Sequence, residues 1–297
     1  MSGVLRLIRG SIAVAVALLP AAALAGILIL RATDTPVDPR VGATLTADQR
    51  LDLAADTIVV AMARGGAGFT FTVVSRSTLV ARAGGPKIEI PDPTDPSKVA
   101  SLADSYYIGA SIASGAVTPD GYWIQMRRGP DSATGAPDFV AAEPTLAALV
   151  RAGVIWRNDG AGWYVTDIAP AIGLDPATIA RLPKLLREAG GPSLAGAFTT
   201  DSGTLTKVSA TGSVANAPGL IAVDLERETV LVAPMEFGLD DAGHLAWIHA
   251  RLRNTNESTF DLIVDVTITI TYPTSPPSLP DPVPTIDPNA LSAEAVR

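Results

Sequence analysis

Apolar and polar residues alternate most clearly near the end of the chain. In "TFDLIVDVTITITY" (259–272), Leu262, Val264, Val266, Ile268 and Ile270 fall on one side. Asp265, Thr267, Thr269 and Thr271 fall on the other, with Ile263 the one large apolar exception. Successive strand side chains point to opposite faces, so this run predicts a strand with one apolar and one polar face. Pro273, Pro276, Pro277, Pro280, Pro282 and Pro284 follow. They remove ladder donors, and pairing ends there.

The same period of two recurs upstream. "GFTFTVV" (68–74) alternates Phe69, Phe71 and Val73 with threonines. "SYYIGASIASGAV" (105–117) and "YWIQMRR" (122–128) flank Thr118-Pro119-Asp120-Gly121, a type I turn sequence, and so predict a hairpin. "GVIWRNDGAGWYVTD" (153–167) predicts a second, turning at Asn158-Asp159-Gly160. From Thr204 a meander is expected, built from "LTKVSATGSV", "GLIAVDL" (219–225), "TVLVAPMEF", "HLAWIHARLR" and the final strand.

Helical signals appear in three places. Thr46 and Gln49 form a capping box, and Leu53, Ile58 and Met62 supply an apolar stripe to about Ala63. "EPTLAALVRAG" (143–153) reads as a short helix. "DPATIARLPKLLREAGG" (175–191) has Asp175 as N-cap, Pro176 at the first position and Ile179, Leu182 and Leu186 on one face. Pro183 is expected to kink or shorten it. The reading is about eleven strands against three helices, with no internal repeat and one domain over 44–285. A helix is about 10 Å wide and strands lie about 4.8 Å apart, so three helices cover roughly six strands. The sheet must curl, meet a second sheet, or leave apolar surface for a ligand.

The N-terminus changes the picture of where this domain works. Arg6 and Arg9 precede "SIAVAVALLPAAALAGILIL" (11–30), 20 residues without a charge. That run is long enough to span a bilayer core of about 30 Å. The basic flank keeps the N-terminus inside and exports the rest. Residues 1–30 are therefore a signal anchor or, with cleavage after Ala23-Leu24-Ala25, a signal peptide. A Pro-containing linker (31–43) follows, and residues 286–297 form a loose tail.

Composition narrows the function classes. Of 297 residues, 47% are hydrophobic and 18% charged, which indicates a folded chain. The net charge of −8, without a basic run, argues against nucleic acid. There are no cysteines, so disulfides, thiolate metal sites and a lipidated cysteine are excluded. The only histidines, His244 and His249, fall on opposite faces of one expected strand and cannot share a metal through it. No G-x-S-x-G elbow occurs, and "RGGAGF" lacks the strand–loop–helix setting of a phosphate loop. Asp240-Asp241 reads as a turn, and "PDPTDPSK" as a solvated loop without the spacing of calcium ligands. Nothing argues for an enzyme or a cofactor. Trp123 and Trp247 fall on the wetter faces of their strands, where a tryptophan marks a partner surface, a membrane interface or a ring packed under a loop.

The order of elements resembles a known group. A helix, a long antiparallel sheet with helices inserted midway, and a two-faced last strand before "LPDPVP" look like the LolA, LppX/LprG and RseB superfamily of bacterial envelope proteins. "GFTFTVV", "DGYWIQMRR", "DPATIARLPKLL" and "DDAGHLAWIHARLR…DVTITITYPTSPPSLPDPVP" carry the likeness. The resemblance implies an α+β fold: a large curved antiparallel sheet, a half-open barrel with helices on its concave side, here preceded by a transmembrane helix. It further implies an extracytoplasmic carrier of a lipid or acyl chain, or, as the alternative, an RseB-like sensor module acting on a membrane-protein partner. Two features depart from the group: the missing lipidated cysteine of LppX/LprG and the anchor that LolA lacks. On this reading Phe69, Phe71, Tyr122, Ile124, Met126, Ile248, Leu252, Leu262, Val264, Val266 and Ile268 face the concave side, and part of that surface is an apolar pocket.

Overall fold

The computed structural model describes residues 45–92, 94–129, 144–160, 162–167, 174, 176–201, 203–213, 232–254 and 260–282. The apolar run 11–30, the linker, the expected strand 219–225, Asp175 and the tail from 286 lie outside them. Among the described residues, no helix is long and apolar enough to cross a membrane.

Helix α1 (Ala47–Met62) opens on the expected capping box: Thr46 Oγ1 accepts from the Gln49 amide, and Gln49 Oε1 accepts from the Thr46 amide. Leu51, Ala54, Ala55, Ile58 and Met62 are buried, the spacing of one helical face. Helix α2 (Pro176–Arg187) starts on its proline and runs four residues past Pro183, so that proline does not end it. Ile179, Leu182, Leu185 and Leu186 are buried. The helices pack on each other, and Arg187 bonds Asp56 at 2.7 Å across them.

Eleven strands make one sheet with every pairing antiparallel. In chain order they are β1 (Phe69–Ala81), β4 (Ser105–Thr118), β5 (Gly121–Gly129), β6 (Pro144–Arg151), β7 (Val154–Asn158), β8 (Trp163–Thr166), β9 (Gly190–Thr200), β10 (Gly203–Ser213), β11 (Val232–Leu239), β12 (Leu245–Asn254) and β13 (Phe260–Thr271). The remaining pair, β2 (Ile88–Asp92) and β3 (Asp95–Ala103), forms a separate hairpin. The spatial order is β8-β7-β6-β5-β4-β1-β13-β12-β11-β10-β9. The sheet is open, and the last strand of the chain docks beside the first at its centre. The helices lie on one face only, α1 over β9, β12 and β4, and α2 over β10.

One expectation needs correction. Residues 144–153 do not form the helix expected there. Pro144–Arg151 is a strand between β5 and β7. Leu146, Ala147, Ala148 and Leu149 are all buried, so this strand is covered on both faces. Such a continuous apolar run has the same pattern as a buried helix. The described residues thus contain two helices, not three. "PDPTDPSK" is the turn of the β2–β3 hairpin: the Asp92 carboxylate accepts from the Thr94 amide and hydroxyl, and Asp95 does the same for Ser97. Finally, "GGPSLAGAFTT" is strand β9, although glycine and proline argue against one. Its register against β10 slips twice, and each slip puts one extra residue on β9, at Gly196 (φ +93°) and Gly191 (φ +59°).

Candidate ligand-binding face

The ladder places every candidate residue on the helix-covered side. Phe71 lies opposite Ile270, and Val73 opposite Ile268. Ile248 and Leu252 lie opposite Ile268 and Val264. On the far side of β1, Phe69 faces Val117, which faces Tyr122, while Ala113 faces Met126. The Phe71 and Tyr122 rings stack with centroids 6.1 Å apart. Phe69 tilts against Tyr272 at 5.9 Å. With the buried faces of α1 and α2, these side chains form one core.

Burial falls along the central strands from one end to the other. Phe69, Phe71 and Val73 are buried, whereas Ser75, Ser77 and Leu79, on the same face of β1, are half-buried. On β13, Ile270, Ile268, Val266 and Val264 are buried and Leu262 is half-buried. On β5, Tyr122 and Ile124 are 1% exposed, while Met126 only packs against the margin of the core. Met235 on β11 stays buried, because Leu185 of α2 approaches there.

At that more open end the floor of the sheet is small. Ser75 pairs with Ser111 on one side and with Val266 on the other. Ser77 pairs with Val264, and Ala113 continues the floor toward Met126. Short side chains on β1 and β4 thus run beside taller apolar ones on β13, with Met126 and Arg128 next in register on β5. Pattern reading had overlooked Ser75, Ser77 and Ser111, because a serine in a strand reads as facing water. Their parity with Phe69, Phe71 and Val73 was the available signal.

Among the described residues, no group of three or more His, Asp or Glu side chains could hold a metal ion. His244 precedes β12, donates its amide to Asp240 Oδ1 at 2.7 Å, and places Nδ1 2.9 Å from Asp240 Oδ2. It stacks on Tyr272 at 4.7 Å. The Asp240 hydrogen bond raises the His244 pKa against the opposing effect of burial. Burial lifts the Tyr272 hydroxyl well above its ordinary range, with Asp240 adding to it. His249 sits on the opposite face of the sheet, between Glu236 and Asp265. A histidine whose pKa is raised on folding stabilises fully below its unfolded value and loses that contribution as pH climbs through the folded value. The melting-temperature gap between the native chain and His244→Gln is therefore expected to be wide near pH 5.5 and narrower near pH 8.5, about a unit or two either side of the ordinary histidine value. Melting curves at the two pH values check it, and an equal gap rejects the ion pair.

No protein-family model and no curated sequence matches the chain. Solved structures do resemble it. LprF from Mycobacterium bovis is 15% identical, with 80% of this chain and 97% of that chain covered and a TM-score of 0.47. The Mycobacterium tuberculosis lipoprotein LppX is 15% identical over 79% of this chain and 97% of that one, with a TM-score of 0.32. A LolA superfamily protein from Nitrosomonas europaea is 12% identical over 80% and 96%, with a TM-score of 0.25. At these identities the likeness concerns fold alone.

Proposed function

We propose that this chain is an extracytoplasmic binding protein of the bacterial envelope, held at the membrane by residues 11–30, which takes an acyl chain or similar apolar ligand on the helix-side face of its sheet. The observation that carries this reading is the half-buried trough at the open end of the central strands. Half-buried Ser75, Ser77 and Ser111 floor it beside Leu262 and Met126, and buried Ala113 and Val264 close its inner end. A lipid tail is flexible, apolar and about 4–5 Å across, close to one strand spacing, so it lies along such a trough without needing a polar anchor. Ligand sites of this kind are concave and mostly apolar, with few polar groups. Arg6 and Arg9 ahead of an uncharged run support export of the domain.

The test uses the purified full-length chain, native mass spectrometry and lipid extraction. A lipid adduct at one-to-one stoichiometry is expected with the native protein. In Ser77→Phe and Ser111→Phe the ring fills the trough, so the adduct should disappear while the unfolding free energy stays within about 1 kcal/mol. Val266, 2% exposed, is already packed. Val266→Trp should instead lose roughly 1–3 kcal/mol to overpacking. If no lipid accompanies the native chain, no acyl probe binds, and Ser77→Phe unfolds it as Val266→Trp does, the face is ordinary core and the reading fails.

A further inference from the structure

All four tryptophans of the chain sit on the sheet face that the helices leave bare, a face that Leu279 and Pro280 cross beside Gly121 and Arg151. Trp247 lies opposite Thr269, which in turn faces Thr72. Trp123 lies opposite Ala116, which faces Thr70. Trp156 joins the same row through Leu149, and Trp163 through Asn158. None of the four belongs to the helix-side core. Trp123 and Trp247 bracket the centre of the sheet, one on β5 and the other on β12.

The same face carries a cationic surplus. Lys207 bonds Glu236 at 2.9 Å. Arg82 bonds Asp261 at 2.9 Å, and Arg253 closes on the same carboxylate, which is 2% exposed. Asp265 stands between Arg76 and Arg251 in the register, yet its carboxylate lies 3.2 Å from His249 Nε2. The carboxylates of this face are thus engaged. Arg76, Arg127 and Arg251 have no ion-pair partner among the described residues. On a chain of net charge −8, unpaired guanidiniums gathered on one face and flanked by tryptophan are a local exception. Tryptophan prefers the headgroup level of a bilayer, and each Arg close to an anionic leaflet adds attraction of about 1 kcal/mol.

We propose that this bare face docks on an anionic lipid surface, with Arg76, Arg127 and Arg251 on the headgroups and Trp123 and Trp247 at the interface. The opposite face keeps its trough clear of the bilayer, and the docking does not depend on whether that trough holds a ligand. It needs no penetration of the hydrocarbon, only charge and aromatic contact, so it is reversible and sensitive to salt.

The experiment exploits where the tryptophans are. Residues 1–44 contain none, so quenching of tryptophan emission reports the folded domain and not the N-terminal apolar run. The full chain is mixed with phosphatidylcholine vesicles carrying brominated acyl chains, with or without added phosphatidylglycerol. The expected result is flotation that tightens with phosphatidylglycerol, accompanied by quenching, with the quenching reversed by high salt. The triple variant Arg76→Gln, Arg127→Gln, Arg251→Gln should weaken the quenching-linked affinity by on the order of a hundredfold. Arg251→Glu, at an exposed position, provides a second variant with little risk to folding. Flotation without quenching would mean attachment through another segment. That result, equal quenching on neutral vesicles, or variants that bind like the native chain would each overturn the proposal.

Discussion

Replacing Gly68 with alanine is expected to cost the fold about 3 kcal/mol or more. Gly68 lies where the chain leaves α1 and enters β1, with φ at +70°. A Cβ there would overlap the Val117 carbonyl oxygen and lie 2.9 Å from the Thr118 Cα. Both are backbone atoms of β4 at the turn into β5, and neither can rotate away as a side chain would. The Gly68 amide also donates to the Ala61 carbonyl at 2.9 Å, so the corner is fixed from the helix side as well. Gly65 provides the control. Its φ is +88°, but nothing lies within 4 Å of the added atom. Gly65→Ala should therefore lose only the left-handed backbone preference, about 1–2 kcal/mol. Urea denaturation of the two variants separates them, and equal losses would mean that the β4 contact is not what fixes the corner.

Phe237→Ala is expected to remove about 3–5 kcal/mol, a large part of the roughly 5–15 kcal/mol that holds a domain together. Phe237 is 0% exposed. It stands opposite Val208 on one side and Ile248 on the other, in the part of the sheet the helices cover. The cavity left by the ring has close-packed walls that cannot fully collapse. Val165, 43% exposed on edge strand β8, gives the contrast. Val165→Ala should stay within about 0.5 kcal/mol. Denaturation midpoints with unchanged slopes would confirm that both numbers report stability. A loss below about 1 kcal/mol for Phe237→Ala would show that this end of the core is loosely packed.

The apolar face was legible because alternation carries parity across strands. Phe69, Tyr122, Ile248, Leu262 and their neighbours could be assigned to one side without knowing which strands pair. Four things were not legible. Strand β6 is covered on both faces, so its run of leucine and alanine lost the period of two that identifies a strand. Strand β9 is built from glycine, serine, alanine and proline, residues that usually mark loops, and its neighbour β10 rather than its own propensity makes it extended. The trough floor was missed for a related reason. Ser75, Ser77 and Ser111 are read as wet-face residues by type, whereas their position along β1 and β4 sets their side. The pairing of β13 beside β1, which joins the first and last described strands at the sheet centre, leaves no mark in local sequence. It follows only from burying two apolar faces together.

The two slips in β9 bear on how the molecule lives among its own copies. An open sheet ends in unpaired amides and carbonyls, and such a margin can template a foreign strand and so begin a fibre. Here the long margin is β9, 11 residues without a charge to repel an incoming chain. Each extra residue turns the backbone out of line, and Pro192 removes a donor between them. What remains in regular register is a few residues at a time, too little for a stable intermolecular ladder. At the other margin, β8 offers four residues. Crowding therefore finds no straight edge on this sheet from which to polymerise.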